Sequence, residues 1–174
     1  MEDQATFSKK SLMLNYGLLM GAVTIVIGVL NYAFGDTYDP HWSVNAVSAI
    51  AVVVIIVLGV KKLKEGQNGF LSVGDAIKTG LGIAIIGALL SMLYMIVFTK
   101  YLEPDFINNT VELNRAKTLE AAPQMTDEQL EMSANITRDY FYAFVFGFVV
   151  VFNLFIGFVT GLISGLVMKH TEED

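Results

Sequence analysis

The sequence predicts an all-α protein: an integral membrane four-helix bundle with an acidic extracytoplasmic helical loop between helices three and four. Three observations carry that prediction. Residues 140–168 run for 29 positions without a charged side chain, and about 20 apolar residues are enough to cross a hydrocarbon core of about 30 Å. Of the 174 residues, 54 % are hydrophobic and only 16 % charged, which is too apolar for an ordinary soluble domain. The charges are also segregated, with lysines flanking the apolar runs and eight acids gathered in residues 100–139. The length holds one membrane domain over 1–174, with spans at about 12–34, 43–60, 76–99 and 140–168 and a loop over 100–139.

The first run, Leu12 to Phe34, follows Lys9-Lys10. A basic start before an apolar run also fits a secretory signal, with Ala33-Phe34-Gly35 as the cleavage site. At 23 residues the run exceeds the usual h-region of about 7–15, so an uncleaved first helix is expected. Gly17 and Gly21 form a small-xxx-small pair on it. Asp39-Pro40 predicts the start of the second helix, with Asp as N-cap and Pro at the first helical position. Trp42 then stands where an aromatic interface anchor belongs. That span closes on Lys61-Lys62-Leu63-Lys64, and Gly66 and Gly69 break the chain after it.

Ser72 with Asp75 three residues on reads as a capping-box variant opening the third helix. Its small residues Ala76, Gly80, Ala84 and Ala88 recur every four positions, which places them on one face. Glu103-Pro104-Asp105 stops this helix, because proline has no N–H to give to the turn before it. Phe106, Ile107, Thr110, Leu113 and Ala116 have rough helical spacing and predict a short half-buried helix, ended by Ala121-Ala122-Pro123. Thr126 and Gln129 make a second capping box. The helix it opens is expected to run straight into the last span. On that span Asn153, Gly157, Gly161 and Gly165 share one face, a groove with a single amide at its head. The first span is the expected partner of this groove.

Lys and Arg near the span ends set orientation. Lys9, Lys10, Lys61, Lys62, Lys64, Lys78 and Lys169 fall on the side of the N-terminus. Lys100, Arg115, Lys117 and Arg138 fall on the other, all within the long loop. Both termini are therefore expected in the cytoplasm, with the acidic loop outside.

Reactive chemistry finds little to work with. There is no cysteine, so thiolate sites and disulfides are excluded. His41 and His170 fall on opposite membrane sides, and no metalloprotease, nucleophile-elbow or phosphate-loop motif is present. The acidic loop lacks the spacing of a calcium loop and reads as a solvated face. Asn108-Asn109-Thr110 and Asn135-Ile136-Thr137 match the short glycosylation pattern. No ionisable residue lies deep in a span; Asp75 and Lys78, at the mouth of the third helix, come closest. They read as a helix-start cap and a snorkelling lysine, or else as a polar mouth for a headgroup or ion. Asn153 reads as an interhelical hydrogen bond or as part of a substrate path. No catalytic residue, cofactor or metal is predicted, and nucleic-acid binding has no support in so few basic residues.

The segments Gly17-Leu18-Leu19-Met20-Gly21, Gly69-Phe70-Leu71-Ser72-Val73-Gly74-Asp75-Ala76-Ile77-Lys78 and Tyr101-Leu102-Glu103-Pro104-Asp105-Phe106 give the chain a family likeness. With four spans and an acidic loop before the last, it resembles the bacterial membrane proteins grouped as domain of unknown function family 4199. That resemblance implies a Bacteroidota-type inner-membrane protein and brings no assigned activity. The residues favour a non-enzymatic accessory or scaffold subunit acting through helix–helix contacts, in the lipid bilayer with a membrane-protein partner or as a homo-oligomer. The alternative is a small transporter or lipid-linked-sugar flippase working as an oligomer, suggested by Asn153, Asp75 and Lys78.

Overall fold

The computed structural model describes residues 7–170. It contains six α-helices: α1 Lys9–Phe34, α2 Trp42–Gly66, α3 Val73–Val97, α4 Phe106–Ala121, α5 Asp127–Asp139 and α6 Phe141–Met168. Four of them, α1, α2, α3 with its extension to Leu102, and α6, are long and apolar enough to cross a membrane. The acidic end of the sequence, 171–174, lies outside the described residues.

α3 is the hub. It packs most extensively against α6, next against α1, and also against α2. α2 in turn touches α1 and α6, so α2 and α3 form the short diagonal of the bundle and hold α1 and α6 apart. The groove of α6 is filled from within the chain, but by α3 and not by α1. The reason is complementary relief. A Cβ added at Gly157 would stand 2.7 Å from the Ala84 Cβ and 2.8 Å from the Gly80 carbonyl oxygen. At Gly161 it would meet the Ala76 carbonyl oxygen and the Ile77 Cα, both at 2.9 Å, and at Gly165 the Val73 Cα at 3.0 Å. The two small faces, Ala76-Gly80-Ala84 and Gly157-Gly161-Gly165, mesh antiparallel with their backbones in contact. Gly17 and Gly21 serve the opposite side of α3, where added Cβ atoms would stand 2.5 Å from Ile86 and 2.7 Å from Leu90. The larger apolar core sits between α1, α2 and α3, around Met20, Ile56, Val60, Leu63 and Ile83.

At the end carrying α4 and α5, hereafter the hairpin end, α3 runs into a five-residue π-helical turn, Phe98–Leu102, closed by Glu103 N–H donating to Phe98 O. Phe98 is buried there, edge-on to Tyr32 at 5.1 Å and to Phe106 at 5.3 Å between ring centroids. Glu103 accepts from the hydroxyls of Tyr32 and Tyr38 at 3.0 and 3.1 Å, and Asn109 donates to the Tyr38 hydroxyl oxygen. The α1–α2 turn, the end of α3 and the start of α4 are thereby fastened together. α4 and α5 form a hairpin over buried Val111 and Leu130.

Three local expectations change. The cap of α2 is His41, whose ring nitrogen accepts from Ser43 N–H, and not Asp39, whose carboxylate pairs with Lys117 at 3.0 Å. The helix therefore starts at Trp42, two residues later than the Asp-Pro pair implies. α2 also continues through its lysines to Gly66, since three lysines and a leucine are good helix formers. Finally, α5 does not run straight into α6. Tyr140 breaks them with φ −106° and ψ 13°, in the sparsely used region between helix and strand. The capping box at the start of α5 is complete: Thr126 Oγ1 accepts from Gln129 N–H, and Gln129 Oε1 accepts from Thr126 N–H. At α3, Ser72 Oγ accepts from Asp75 N–H, while the Asp75 carboxylate turns away to α1.

Candidate functional site: a polar cavity among the apolar helices

Hydroxyl side chains in an apolar helix ordinarily bond back to a carbonyl three or four residues earlier. Four polar residues here do so: Thr24 Oγ1 to Gly21 O, Ser48 Oγ to Val44 O, Ser91 Oγ to Gly87 O, and Asn153 Nδ2 to Val149 O, at 2.9 to 3.0 Å. Each is unremarkable alone. Packing brings them together, because all four line one cavity of about 510 Å³. Met20 and Thr24 of α1 and Ser91 of α3 form its floor. Asn45, Ser48, Ala49 and Val52 of α2 make one wall, and α6 makes the other with Phe148, Val149, Phe152, Asn153 and Ile156. On the floor, Thr24 Oγ1 and Ser91 Oγ lie 3.1 Å apart.

The depth is shared as well. At 1.5 Å per residue, the four residues lie between about 9 and 18 Å from the helix ends on the hairpin side. The cavity thus occupies the hairpin-side half of the bundle. Its rim residues Asn45, Phe148 and Phe152 are exposed, so the mouth opens sideways between α2 and α6. No lining residue is ionisable.

Of the residues singled out from the sequence, Asn153 lines this cavity, and its amide bonds its own helix, not a neighbour. Gly17, Gly21, Gly80, Ala84, Gly157, Gly161 and Gly165 lie in helix–helix contacts that set the spacing of the walls. Asp75 and Lys78 are at the far end of α3. Asp75 pairs with Lys9 at 3.1 Å, and Gln67 Nε2 donates to the same carboxylate oxygen at 3.5 Å. Lys78 is exposed and makes no ion pair among the described residues. The structure therefore joins Asp75 to Lys9, not to Lys78. With Lys9 and Asp75 side chains 46 % and 28 % exposed, Asp75→Asn is expected to cost less than about 1 kcal/mol. A double-mutant cycle with Lys9→Gln, read from thermal unfolding in detergent, checks this; a loss several times larger would make the mouth more than a surface pair.

The two histidines are both engaged structurally. His41 caps α2, and His170 pairs with Leu71 through an isolated antiparallel β-bridge and stacks on Phe70 at 5.7 Å. The loop before Leu71 turns through Asn68 and Gly69 at positive φ, 55° and 92°.

The model of the family described as protein of unknown function (DUF4199) matches residues 15–170. The chain belongs to that family. No curated protein and no solved structure matches it. The DUF4199 match takes in all of α2 to α6 and most of α1, hence every residue that lines the cavity. With four helices of spanning length and apolarity, this DUF4199 chain is a multi-pass membrane protein. Thr24, Asn45, Ser48 and Ser91 are the residues that sequence reading misses. The signal that could have found them is depth: laid antiparallel from the hairpin-side ends, their helices bring them near Asn153.

Proposed function

We propose that this protein is a non-enzymatic membrane protein that holds a small lipid-soluble molecule in the cavity between α2 and α6, as a carrier or transport component. The single observation carrying this reading is a cavity of about 510 Å³ with hydroxyl and amide groups on an otherwise apolar lining. Pockets that are mostly apolar, with a few convergent polar groups, are the usual form of small-molecule sites. A sideways mouth between two apolar helices favours a ligand that arrives from the bilayer. The small-residue faces that favour an accessory or scaffold subunit are covered from within the chain, since α3 packs against those of α1 and α6.

The lysine distribution supports cytoplasmic termini and an extracytoplasmic, acidic α4–α5 hairpin. Family membership supports a bacterial inner membrane. The cavity then lies in the outer half of the bilayer.

Ala49→Leu tests the reading, because it fills the cavity with an apolar side chain of good helix propensity. Native mass spectrometry of gently extracted wild-type protein is expected to show a bound small molecule. In the variant that molecule is lost, while the ligand-free variant unfolds at the same temperature as ligand-free wild type. A wild type with nothing bound, or a variant that binds equally, would remove the proposal.

A further inference from the structure

We infer that the cavity takes an uncharged lipid through a hydrogen-bond donor such as an alcohol hydroxyl, and excludes phosphate-bearing lipids; this rests on the binding role proposed above. Thr24 and Ser91 have one hydroxyl hydrogen each to serve three contacts: one to the Gly21 carbonyl, one to the Gly87 carbonyl and one between the two hydroxyls. Both hydrogens are therefore taken. The Ser48 hydrogen goes to Val44 O. At Asn153 the bond to Val149 O must come from the amide nitrogen, since two carbonyl oxygens cannot bond. That fixes the side chain with Oδ1 as a free acceptor.

Inside the cavity the lining residues Thr24, Ser48, Ser91 and Asn153 thus carry four acceptor oxygens against one free N–H, the second hydrogen of Asn153. The exposed Asn45 adds one oxygen and two N–H groups at the rim, where water and lipid headgroups compete for them. A neutral donor satisfies such a site, because each oxygen has a lone pair to offer and the α-helical carbonyls have already used the hydrogens. A phosphate meets the reverse: acceptor against acceptor, with no lysine or arginine in the lining. Moving an unpaired charge to bilayer depth is costly. Lipid-linked sugars held through a diphosphate fall outside this chemistry. The apolar remainder of the lining, with Val52, Ile156 and the two phenylalanines, suits an acyl or isoprenoid chain and does not suit a bare cation.

Three probes differing only at the headgroup decide this: oleyl alcohol, its methyl ether and oleyl phosphate. Binding is titrated by native mass spectrometry, and by thermal shift in a detergent without hydroxyl groups. The alcohol is expected to bind saturably. The ether carries a methyl group in place of the donor hydrogen and should bind about tenfold more weakly, the phosphate about a hundredfold. Asn153→Leu, with Ser48→Ala as a second and milder variant, should weaken the alcohol severalfold and leave the ether unchanged. If the phosphate or the ether binds as well as the alcohol and Ala49→Leu abolishes that binding, the donor assignment is overturned while the cavity remains a binding site. If no probe binds, or binding is the same in Ala49→Leu, the binding role fails and the assignment with it.

Discussion

Gly161→Leu is expected to be among the most damaging single substitutions in the bundle. The first added carbon alone would stand 2.9 Å from the Ala76 carbonyl oxygen and from the Ile77 Cα. Both are backbone atoms of α3, so no rotamer change relieves the clash and the helices must separate. Overpacking typically costs about 1–3 kcal/mol and occasionally more; three further carbons at a backbone contact place this variant at the top of that range. Separation also forfeits the packing at Gly157 and Gly165, because the helices mesh along their length. Gly147→Ala is the matched control on the same helix. Its Cβ would meet nothing within 4 Å, and alanine has the better helix propensity by about 1 kcal/mol, so it should be neutral or slightly stabilising. Unfolding in mixed micelles compares the two. Equal stabilities for wild type and Gly161→Leu would mean that the α3–α6 contact is not closed in the membrane.

Phe98→Ala carries the second large effect, expected at about 3–5 kcal/mol, the range for removing a buried phenylalanine. The residue is only 5 % exposed, and its ring touches three other aromatic rings, Tyr32, Tyr94 and Phe106. Those belong to α1, α3 and α4, so the cavity left behind lies at the junction that fastens the hairpin to the bundle. The π turn sharpens the case. Five residues per hydrogen-bonded turn bring Phe98 and Glu103 to the same junction, one holding it through rings and the other through two tyrosine hydroxyls. Loss of the ring should therefore loosen α4 and α5 before the apolar helices. Limited proteolysis within residues 121–127, alongside thermal unfolding, reads both effects. Phe98→Leu, which keeps most of the volume, should recover at least half of the loss. Protease resistance unchanged in Phe98→Ala would show that the hairpin is held by other contacts.

The apolar helices were legible because length and hydropathy alone define them; nothing about α6 required knowledge of its neighbours. The small-residue faces were legible too, since four-residue spacing puts them on one side of a helix. Their pairing was not. Gly17-Gly21 and Gly157-Gly161-Gly165 look equally able to meet each other, and only the second small face on α3 decides the matter. The break at Tyr140 left no mark, as Asp139-Tyr140-Phe141 contains neither glycine nor proline. The cavity was hidden for a different reason. Thr24, Ser48 and Ser91 each satisfy themselves within their own helix, so in one dimension they are ordinary residues. Asn153 stood out because an amide in the middle of an apolar run is unusual; its companions emerge only when four helices are set side by side.

The diagonal arrangement of the bundle has a bearing on biosynthesis. Helices that are individually stable in a bilayer insert first and associate afterwards. α1, α2 and α3 contact one another pairwise and can assemble while the ribosome is still making the hairpin. During that interval the slot formed by Ala76, Gly80 and Ala84 has no helix in it and must be filled by acyl chains. α6 arrives last, displaces them, and completes the second wall of the cavity. The cavity is therefore absent from the nascent protein and comes into being only with the final helix, which supplies five of its lining residues.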